Sequence, residues 1–490
     1  MKLRPTLYAL CTVALVSVIS VSCTKERLEE QYVKLEQAVC SFYGSDNEPL
    51  EIGIISNTAA WEVESNAAWL EAVKSEDGDT IILTAADNET ESERNATVTV
   101  TAGEAIQKIT VTQLGMTYDM PRYRKLTDIQ KMGVVSPSGK YIGGFAATAT
   151  GDTYIFHPII IDTYTNEEYR CGDIPQSQFD LGQAMAISDD GLLFINDGFN
   201  GVDVVFDRDG NYFTVEAPGY IVPQVQGTGA NGTYWVGFGM VGPAEARQYR
   251  PLLWIDRQVQ ELKMPDKNFR GEDFVTGIMA RGISANGEVI YGTTWDNNDF
   301  GMVYWKDFND KAQYVGKDVH EITPVTMVMP DGVTEYDTHI ANGMVCTAEL
   351  LQISPSGKWI AGSYRIEEVS ENRQAINYTR YAAFYNTETE KTIIVDSYGE
   401  STGMRATEDG IAFIGLGSMA ITNSVVYDLN SGTDLGSAQD WVYENYGINI
   451  PGGVINFINE KEDVIFGTYA ATGAMGVEFK SFYIAPPVTE

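Results

Sequence analysis

One short segment of this 490-residue chain combines an aromatic ring with several polar side chains. It reads Trp295-Asp296-Asn297-Asn298-Asp299. A tryptophan beside carboxylates and amides suits a neutral sugar, because the indole can stack on the sugar while the polar groups bond its hydroxyls. In the alternative interpretation, Trp295 fills a gap in the core and the polar run is a solvated loop. The segment therefore predicts either a glycan contact or a packed turn.

Four further residues are expected near this segment and carry basic, acidic or imidazole side chains. They are Arg281, Glu349 and Arg405, at the entry to predicted strands, and His339, which follows Asp337-Thr338. An acid/base pair could be chosen from Arg281, Glu349 and Asp337. Acidic residues are so abundant here, however, that a sequence alone does not set two carboxyls at the separation that glycosidases need. No catalytic residue is assigned.

Metal, cofactor and nucleophile chemistry have weak support in the sequence. The three histidines, His157, His320 and His339, show no H-x-x-H or H-E-x-x-H spacing. Residues 207–211 are similar to the start of a calcium loop but lack its downstream glutamate, so a hairpin turn is expected there. There is also no G-x-S-x-G segment and no glycine-rich phosphate loop. We therefore expect neither a metal nor a cofactor.

A short phrase that returns along the chain determines the expected architecture. Its clearest copies are Ser136-Pro137-Ser138-Gly139 and Ser354-Pro355-Ser356-Gly357, each followed by a strand-like run. Serine and proline open a tight turn, and glycine closes it where φ is positive. The other copies end at Gly191, Gly232, Gly287 and Gly410, with Glu462 as the seventh equivalent.

A second signature follows each phrase, a hydrophobic run that ends in Asp or Asn, as at Asp207 and Asn386. Together the two signatures predict units of four antiparallel strands, A to D, and seven such units between residues 118 and 487. This is typical of a seven-bladed β-propeller; a β-sandwich with accidental repeats is the alternative. Residues 122–126 are expected to pair with residues 481–484 and to close the ring, hiding two strand edges.

The predicted units have short turns at one end and long loops at the other. The A–B and C–D turns are short, whereas the B–C and D–A connections vary, and the largest insertion spans residues 318–344. Long loops on a rigid scaffold concentrate binding residues. Any site is therefore expected on the face that carries the long loops.

Charge and cysteine content limit the partners and the compartment. The formal net charge of −35 excludes nucleic acid and an anionic membrane surface as main partners. Cys40, Cys171 and Cys346 have no paired spacing, so buried thiols are expected rather than a disulfide framework.

The first residues are typical of a bacterial lipoprotein signal. A basic start and an apolar stretch too short to span a membrane predict a signal peptide over residues 1–22. The following Cys23 would carry lipid and provide the only membrane contact, although Ser20 stands where the common pattern has leucine. A plain signal peptide is the alternative. Residues 23–36 are expected to form a charged linker.

Residues 37–115 contain no copy of the repeat and carry short alternating strands, which predict a small β-sandwich. The residues that carry a resemblance are Ser56-Asn57, Trp61, Ser65-Asn66, Ala68-Trp69-Leu70, Asn88, Arg94 and Val111-Thr112-Gln113-Leu114-Gly115. This pattern is similar to the BACON domain (Bacteroidetes-associated carbohydrate-binding often N-terminal). The resemblance implies an Ig-like fold and a sugar platform on Trp61 or Trp69. The alternation instead directs both indoles into the core, which favours a spacer.

These observations favour an all-β lipoprotein of the outer membrane or cell surface. It would be non-catalytic and bind a glycan or take part in glycan uptake, with a neutral glycan or an envelope protein as partner. A propeller glycosidase or lyase and a protein-interaction scaffold remain alternatives. Sugar binding predicts exposed aromatics on the loop face, an enzyme predicts converging carboxylates or histidines, and a scaffold predicts a flat, partly apolar face.

Overall fold

A computed structural model describes most of the chain. The described residues are 31–42, 47, 49–88, 90, 93–113, 122–126, 133–151, 153–175, 178, 181–198, 201–296, 299–346, 352–417, 421, 423–448, 450–473 and 476–487. In these ranges the regular structure is β apart from one α-helix and two 3-10 turns. The all-β prediction is confirmed for this part of the chain.

The first eight strands form two four-stranded sheets. The strands are β1 (Val33–Leu35), β2 (Val39–Phe42), β3 (Leu50–Ser56), β4 (Glu62–Ser65), β5 (Leu70–Lys74), β6 (Thr80–Ala85), β7 (Arg94–Ala102) and β8 (Ala105–Gln113). One sheet has the order β1-β3-β6-β5 and the other β2-β8-β7-β4. The short β2 runs parallel to β8, whereas the other pairs are antiparallel.

Both indoles of this region pack in or against its core. Trp61 is 4% exposed and lies in one apolar cluster with residues of both sheets, and Trp69 packs against the same cluster. The guanidinium of Arg94 covers the Trp69 ring at 4.6 Å. Arg94 also donates to the Gln113 side chain (2.8 Å) and to the Ala86 carbonyl (2.7 Å). The core interpretation is therefore confirmed for Trp61, whereas Trp69 is half-buried and packs against that core.

Residues from 122 onward form seven sheets. β9 (Tyr123–Leu126) comes first. Sheet 1 contains β10 (Val134–Val135), β11 (Tyr141–Thr150), β12 (Thr153–Asp162), β13 (Glu168–Arg170) and β14 (Ile174–Pro175). Sheet 2 contains β15 (Leu181–Ile187), β16 (Leu193–Asp197), β17 (Asp203–Phe206) and β18 (Tyr212–Thr214). Sheet 3 contains β19 (Ile221–Gly229), β20 (Tyr234–Val241), β21 (Gln248–Ile255) and β22 (Gln258–Glu261).

The remaining sheets repeat this arrangement. Sheet 4 contains β23 (Ile278–Ile283), β24 (Ile290–Thr294), β25 (Met302–Trp305) and β26 (Gln313–Tyr314). Sheet 5 contains β27 (Glu321–Val328), β28 (Glu335–Val345), β29 (Trp359–Val369), β30 (Ile376–Asn386) and β31 (Lys391–Val395). Sheet 6 contains β32 (Ser401–Ala406), β33 (Ile411–Leu416), β34 (Ser424–Asp428) and β35 (Thr433–Ser437). Sheet 7 contains β36 (Val454–Ile458), β37 (Ile465–Gly473) and β38 (Gly476–Ile484), with β9 as its fourth strand.

The repeated phrase forms the turn that was predicted for it. In the first copy the Gly139 amide donates to the Ser136 carbonyl (2.8 Å), and the Ser136 hydroxyl accepts from the Tyr141 amide (3.1 Å). The six turn glycines all have φ between 77° and 87°, where a Cβ is unfavourable. Glu462 takes a similar conformation at φ 55°, so the last copy keeps the backbone shape without glycine.

Each of these turns also contacts the turn of the next sheet, and the seventh contacts the first. The Ser138 amide and hydroxyl, for example, donate to the Asp189 carboxylate at 2.9 and 2.6 Å. The Asn459 side chain of sheet 7 donates to the Ser138 carbonyl (3.1 Å) of sheet 1. The contacts are Ser138 with Asp189, Asp190 with Gly232, Ala230 with Ala285, Asn286 with Ser356, Ser356 with Glu408, Thr407 with Glu462, and Asn459 with Ser138.

Apolar clusters follow the same order. Sheets 1 and 2 share one cluster, and so do 2 and 3, 3 and 4, 4 and 5, 5 and 6, and 6 and 7. A further cluster joins sheet 7 to sheet 1 through Phe466, Tyr483, Ile142 and Ile161. Each sheet is thus buried against both neighbours by the packing of Val, Ile, Leu and aromatic side chains.

The early strand β9 completes sheet 7. It pairs antiparallel with β38, with Leu126 opposite Ser481 and Tyr123 opposite Ile484. Arg122 extends the junction, because its side chain donates to the Ala485 carbonyl (2.9 Å) and its own carbonyl accepts from the Ala485 amide (2.7 Å). The predicted pairing of residues 122–126 with residues 481–484 is confirmed.

The first strand of five sheets carries a register shift at one equivalent position. The shifts fall at Met185, Gln226, Arg281, Met404 and Asn456, each six residues before the turn residue of its sheet. Such a bulge re-aims the side chains around it. The sequence does not predict these bulges, because the inserted residues share no residue type.

Two elements depart from the simple repeat. Residues 318–344, expected as a long connection, form a hairpin of β27 and β28 that extends sheet 5. The helix α1 (Ala438–Tyr446) lies between β35 and β36, starts at the N-cap Ser437 and ends at Gly447 with φ 66°. Its Trp441 packs edge-on against Phe413 (5.3 Å between ring centroids). The structure also buries the thiols of Cys40, Cys171 and Cys346, as expected.

Candidate functional site on the loop face of sheets 3 to 5

The loop face consists of the sheet ends opposite the seven repeated turns. Trp295 lies there, directly after β24, and its amide donates to the Gly277 carbonyl (2.9 Å). The indole is partly exposed. It meets Phe300 (5.1 Å) and Tyr249 (6.3 Å) edge-on, measured between ring centroids. Trp295 is thus both packed and accessible, so the structure supports elements of both interpretations of this residue.

Asp296 is committed to the backbone of a neighbouring loop. Its side chain is buried, and its two oxygens accept from the amides of Val275 (2.8 Å), Thr276 (2.6 Å) and Gly277 (2.8 Å). The Asn268 side chain adds a longer bond of 3.3 Å. A carboxylate that accepts several amide protons is saturated. Asp296 therefore shapes the loop before β23 and has little capacity left for a ligand.

Asp299 takes part in a buried ion-pair cluster between sheets 4 and 5, here called the four-charge cluster. Its members are Arg270, Asp299, Arg365 and Glu367. Arg365 donates to the Asp299 carboxylate (2.8 Å) and carbonyl (2.9 Å). Arg270 binds Glu367 through two bonds of 2.7 and 2.9 Å and lies 3.2 Å from Asp299. The carboxylates are 1% and 3% exposed, so this cluster closes the joint between the two sheets.

The charges of this cluster are mutually compensated. Burial raises the pKa of Asp299, and the guanidinium groups of Arg270 and Arg365 act against that rise. Burial lowers the pKa of Arg270, but bonds to Glu367 and the charge of Asp299 more than offset it, so its pKa is raised overall. Glu367 also accepts from the Ala341 amide (2.9 Å). A buried network of paired charges such as this one is structural, although Asp299 Oδ2 and Arg365 Nε have no hydrogen-bond partner among the described residues.

Arg281 lies at the bulge of β23 and reaches the space beside Trp295. Its Nη1 donates to the Gln226 side chain (3.0 Å), and its guanidinium carbon is 5.8 Å from the Trp295 ring centroid. Gln226 occupies the equivalent bulge of β19. Arg281 is partly exposed. Among the described residues it has no carboxylate partner.

His339 and Arg405 lie apart from Trp295. The carbonyl of His339 accepts from Arg270 (2.6 Å), and its Nδ1 is 3.5 Å from the Glu272 carboxylate, so it borders the four-charge cluster. Arg405 is 1% exposed and lies near the repeated turns, where it donates to the carbonyls of Ile353, just before the turn at Ser354, and of Ile458 in sheet 7. Burial lowers the pKa of Arg405 to about 10. Its position is therefore away from the loop face, where the sequence had placed it.

Three predicted residues, Cys23, Asn297 and Glu349, lie outside the described residues. Of the rest, the structure brings Trp295, Asp296 and Arg281 together. Sequence reasoning missed the residues that complete this neighbourhood, which are Tyr249, Phe300, Gln226, Arg270, Arg365 and Glu367. One available signal was the alternation of Arg365 and Glu367, because charges two residues apart on a strand share a face.

The histidines contact neighbouring residues rather than one another. His157 lies between Thr148 (2.8 Å) and Asp173 (2.6 Å). The His320 ring stacks on Phe269 with centroids 4.4 Å apart. In the described ranges, no group of three or more His, Cys, Asp or Glu side chains is arranged to hold a metal ion. The 207–211 run forms a hairpin turn in which Asp207 accepts from the Asp209 and Asn211 amides (3.0 and 2.8 Å).

The N-terminal sheets carry a separate cleft of about 510 Å³. Its lining includes Glu62, Glu64, Thr99 and Thr101. Trp61 lies at this cleft, but Lys74 covers its ring at 4.3 Å, and its indole nitrogen donates to the Gly78 carbonyl (3.1 Å). The ring is therefore not an open platform for a sugar.

Comparison with known proteins assigns one part of the chain. Residues 59–114 match the BACON family, described as "Putative binding domain, N-terminal". The BACON resemblance of this segment is thus confirmed over that range. No curated protein matches the chain. In the described ranges, no helix has the length and apolar character needed to cross a membrane.

Three solved structures are distantly similar to this chain. A Bacteroides ovatus GH5 xyloglucanase in complex with a XXXG heptasaccharide shares 19% identity over 24% of this chain and 29% of its own length, with a TM-score of 0.15. A quinonprotein alcohol dehydrogenase-like protein from Bacteroides thetaiotaomicron shares 7% identity over 81% of this chain and 93% of its own, with a TM-score of 0.24. U3-55K shares 10% identity over 61% and 92%, with a TM-score of 0.27. At these scores the likenesses carry no argument about function.

Proposed function

We propose that the protein is a non-catalytic, lipid-anchored glycan-binding protein of the cell envelope. Its seven sheets would be the blades of a seven-bladed β-propeller over residues 118–487. The loop face around Trp295 would bind the glycan, and the BACON segment would hold the propeller away from the membrane. The partly exposed Trp295, framed by Tyr249, Phe300 and Arg281, is the observation that carries this proposal.

The propeller is supported by three independent features. The apolar clusters run from each sheet to the next and from sheet 7 to sheet 1. The turn-to-turn contacts follow the same circular order. The first strands of neighbouring sheets also approach closely, since a Cβ on Gly227 would lie 2.9 Å from the Gly282 Cα. A radial arrangement of four-stranded sheets accounts for all three.

The binding interpretation is favoured over the catalytic one by the state of the carboxylates near Trp295. Asp296 is saturated by backbone amides, and Asp299 and Glu367 are paired with arginines. A glycosidase needs one carboxyl to protonate the leaving group and a second to act as base or nucleophile. Carboxylates fixed in such bonds are poorly suited to either role, whereas an accessible indole suits stacking on a sugar.

The scaffold alternative has its own support. Several apolar side chains on the β27–β28 and β29–β30 hairpins of sheet 5 are exposed, with Val333 at 82% and Tyr378 at 56%. Exposed apolar residues of this kind suit a protein partner. This function would use the hairpin tips rather than the surroundings of Trp295.

A glycan array followed by titration of variants tests the proposal. Trp295→Ala removes the stacking surface and should weaken the best hit about tenfold, roughly 1–2 kcal/mol. Tyr212→Ala is a matched control, because this tyrosine is 58% exposed on the edge strand of sheet 2. The Tyr212→Ala variant should bind the same glycan with unchanged affinity. Absence of binding across a broad array would refute the glycan assignment and favour the scaffold. Equal losses in both variants would show that the glycan does not bind at Trp295.

The anchor is tested separately. We propose that Cys23 carries lipid, because it follows a short apolar segment and a small residue. Cys23→Ala should move the protein from the membrane fraction to the soluble fraction. Unchanged fractionation would show that the anchor is elsewhere.

A further inference from the structure

The polar groups beside Trp295 differ in whether they are free to bind a ligand. The two carboxylates of the Trp295 loop, Asp296 and Asp299, are buried and bound by amides or guanidinium groups, and the remaining Oδ2 of Asp299 is withdrawn from solvent. Arg281, in contrast, uses one nitrogen for the neutral side chain of Gln226. The available charge next to the indole is therefore positive, although the sequence suggested carboxylates and amides.

Among the described residues Arg281 lacks a counter-ion, unlike the two arginines closest to the Trp295 loop. The protein has 68 acidic and 33 basic residues, and its net charge is −35. The neighbouring Arg270 and Arg365 each bind a carboxylate. Arg281 forms no ion pair within the described residues, its Nε is buried without a hydrogen-bond partner, and Nη2 bonds no described residue. Withdrawing a guanidinium from water is unfavourable unless an anion compensates it.

The position of Arg281 in the repeat also sets it apart. The equivalent bulge residues in the other sheets with a register shift are Met185, Gln226, Met404 and Asn456. Arg281 is the charged member of this set. Its guanidinium is held beside the indole by Gln226 and by its cation–π contact with Trp295. A planar donor fixed in this way matches the two oxygens of a carboxylate.

We propose that the loop face selects glycans that carry a carboxylate, such as hexuronate oligosaccharides. Trp295 would stack on the sugar ring, and Arg281 would pair with the carboxylate of that sugar or of its neighbour. This inference rests on the proposed glycan-binding function and specifies its ligand class. The net negative charge of the protein does not prevent such binding, because at physiological salt charges beyond about 8 Å are largely screened.

The test uses matched pairs of ligands. Oligogalacturonate, oligoglucuronate and oligomannuronate are titrated into the full-length protein, each beside its carboxyl-reduced counterpart, in which a primary alcohol replaces the carboxylate. Wild type should bind at least one hexuronate about tenfold or more tightly than its reduced counterpart, because a charge-assisted pair is lost on reduction. The preference should weaken as salt is raised from 50 to 500 mM, roughly from a Debye length above 10 Å to a few ångströms.

Two substitutions then locate the preference. Arg281→Gln should bind the hexuronate and the reduced glycan equally, and Arg281→Lys should keep part of the difference. Arg247→Gln removes the same charge from an exposed arginine in the β20–β21 connection of the loop face and should keep the full preference. Thermal unfolding of each variant shows whether it remains folded.

The outcomes separate this inference from the proposed function. If glycans bind in a Trp295-dependent way but the reduced forms bind as well as the hexuronates, the carboxylate proposal is wrong and the glycan-binding function stands. The same conclusion follows if Arg281→Gln keeps the preference. If no glycan binds at all, both proposals are refuted.

Discussion

At the scale of single residues, Asp203 shows how burial changes a carboxyl group. It begins β17, is 0% exposed and accepts from the Val225 amide (2.6 Å). Burial raises its pKa from 3.8 to about 7, and the bonds from Val225 and Asn196 oppose the rise only in part. The folded protein therefore holds a proton on Asp203 at pH values where the unfolded chain has lost it.

This shift predicts a pH-dependent stability. Below about pH 4, Asp203 is protonated in both the folded and the unfolded state, and its contribution to the free energy of unfolding is fully present. As pH rises to about 7 the unfolded chain ionises first, so the contribution is lost. Asp203→Asn cannot ionise, and its stability relative to wild type should increase between pH 4 and 7, by on the order of a few kcal/mol, and then level off. Urea unfolding at several pH values measures this difference.

The exposed Asp209→Asn variant is the control for this experiment, because Asp209 lies in a solvated turn. Its stability difference from wild type should stay flat over the same range. A flat curve for Asp203→Asn as well would show that Asp203 titrates normally in the folded protein.

The residue types of the site were largely predictable from the sequence. Which of their side chains are free to bind a ligand was not. The sequence placed Trp295 and Arg281 near one another on the loop face, and the structure agrees. It also grouped Asp296 with them, and that carboxylate turns out to be bound by three amides of a loop about 20 positions earlier. A hydrogen-bond partner so distant in sequence leaves no local signal, because side-chain bonding depends on how the loops pack.

At the scale of elements, the four-charge cluster joins sheets 4 and 5. We predict that Glu367→Ala destabilises the protein by about 3 kcal/mol, because it leaves Arg270 without its bidentate partner in a buried position. Glu368→Ala is the control, since the next residue on β29 is exposed. It should change the stability by less than about 0.5 kcal/mol. Denaturant unfolding of both variants provides the comparison, and equal effects would contradict a structural role of the cluster.

Elements were predictable where local chemistry determines them. The Ser-x-x-Gly turns and the strands after them follow from φ preferences and alternation, and even the glycine-free turn at Glu462 was identified from its position. The bulges, the β27–β28 hairpin and the helix α1 were missed. Bulges depend on contacts with the neighbouring strand, and α1 is a short helix whose Trp441 is buried by sheet 6.

At the scale of the whole molecule, the pairing of β9 with β38 is the decisive joint. We predict that deleting residues 122–126 exposes the edges of β38 and lowers the melting temperature by about 10 °C or more, with aggregation. Replacing the exposed hairpin tip at residues 330–333 with Gly-Asn should leave the melting temperature nearly unchanged. Light scattering during thermal unfolding records both effects. A truncated protein that melts like wild type would contradict the proposed closure of the seven sheets into a propeller.

The pairing of β9 with β38 also determines when the protein can finish folding during its synthesis. β9 is made early, yet its partner β38 is made more than 350 positions later, as the bond between Arg122 and Ala485 shows. Closing so long a loop adds little entropic cost per extra residue, but it cannot begin before the partner has emerged. Until then, β9 and sheet 1 lack their neighbour and are open to proteases and to pairing with other chains. A nascent chain stalled within sheet 6 should therefore be degraded by proteases, whereas the finished chain should resist them. Protease resistance would then be acquired only when synthesis is complete.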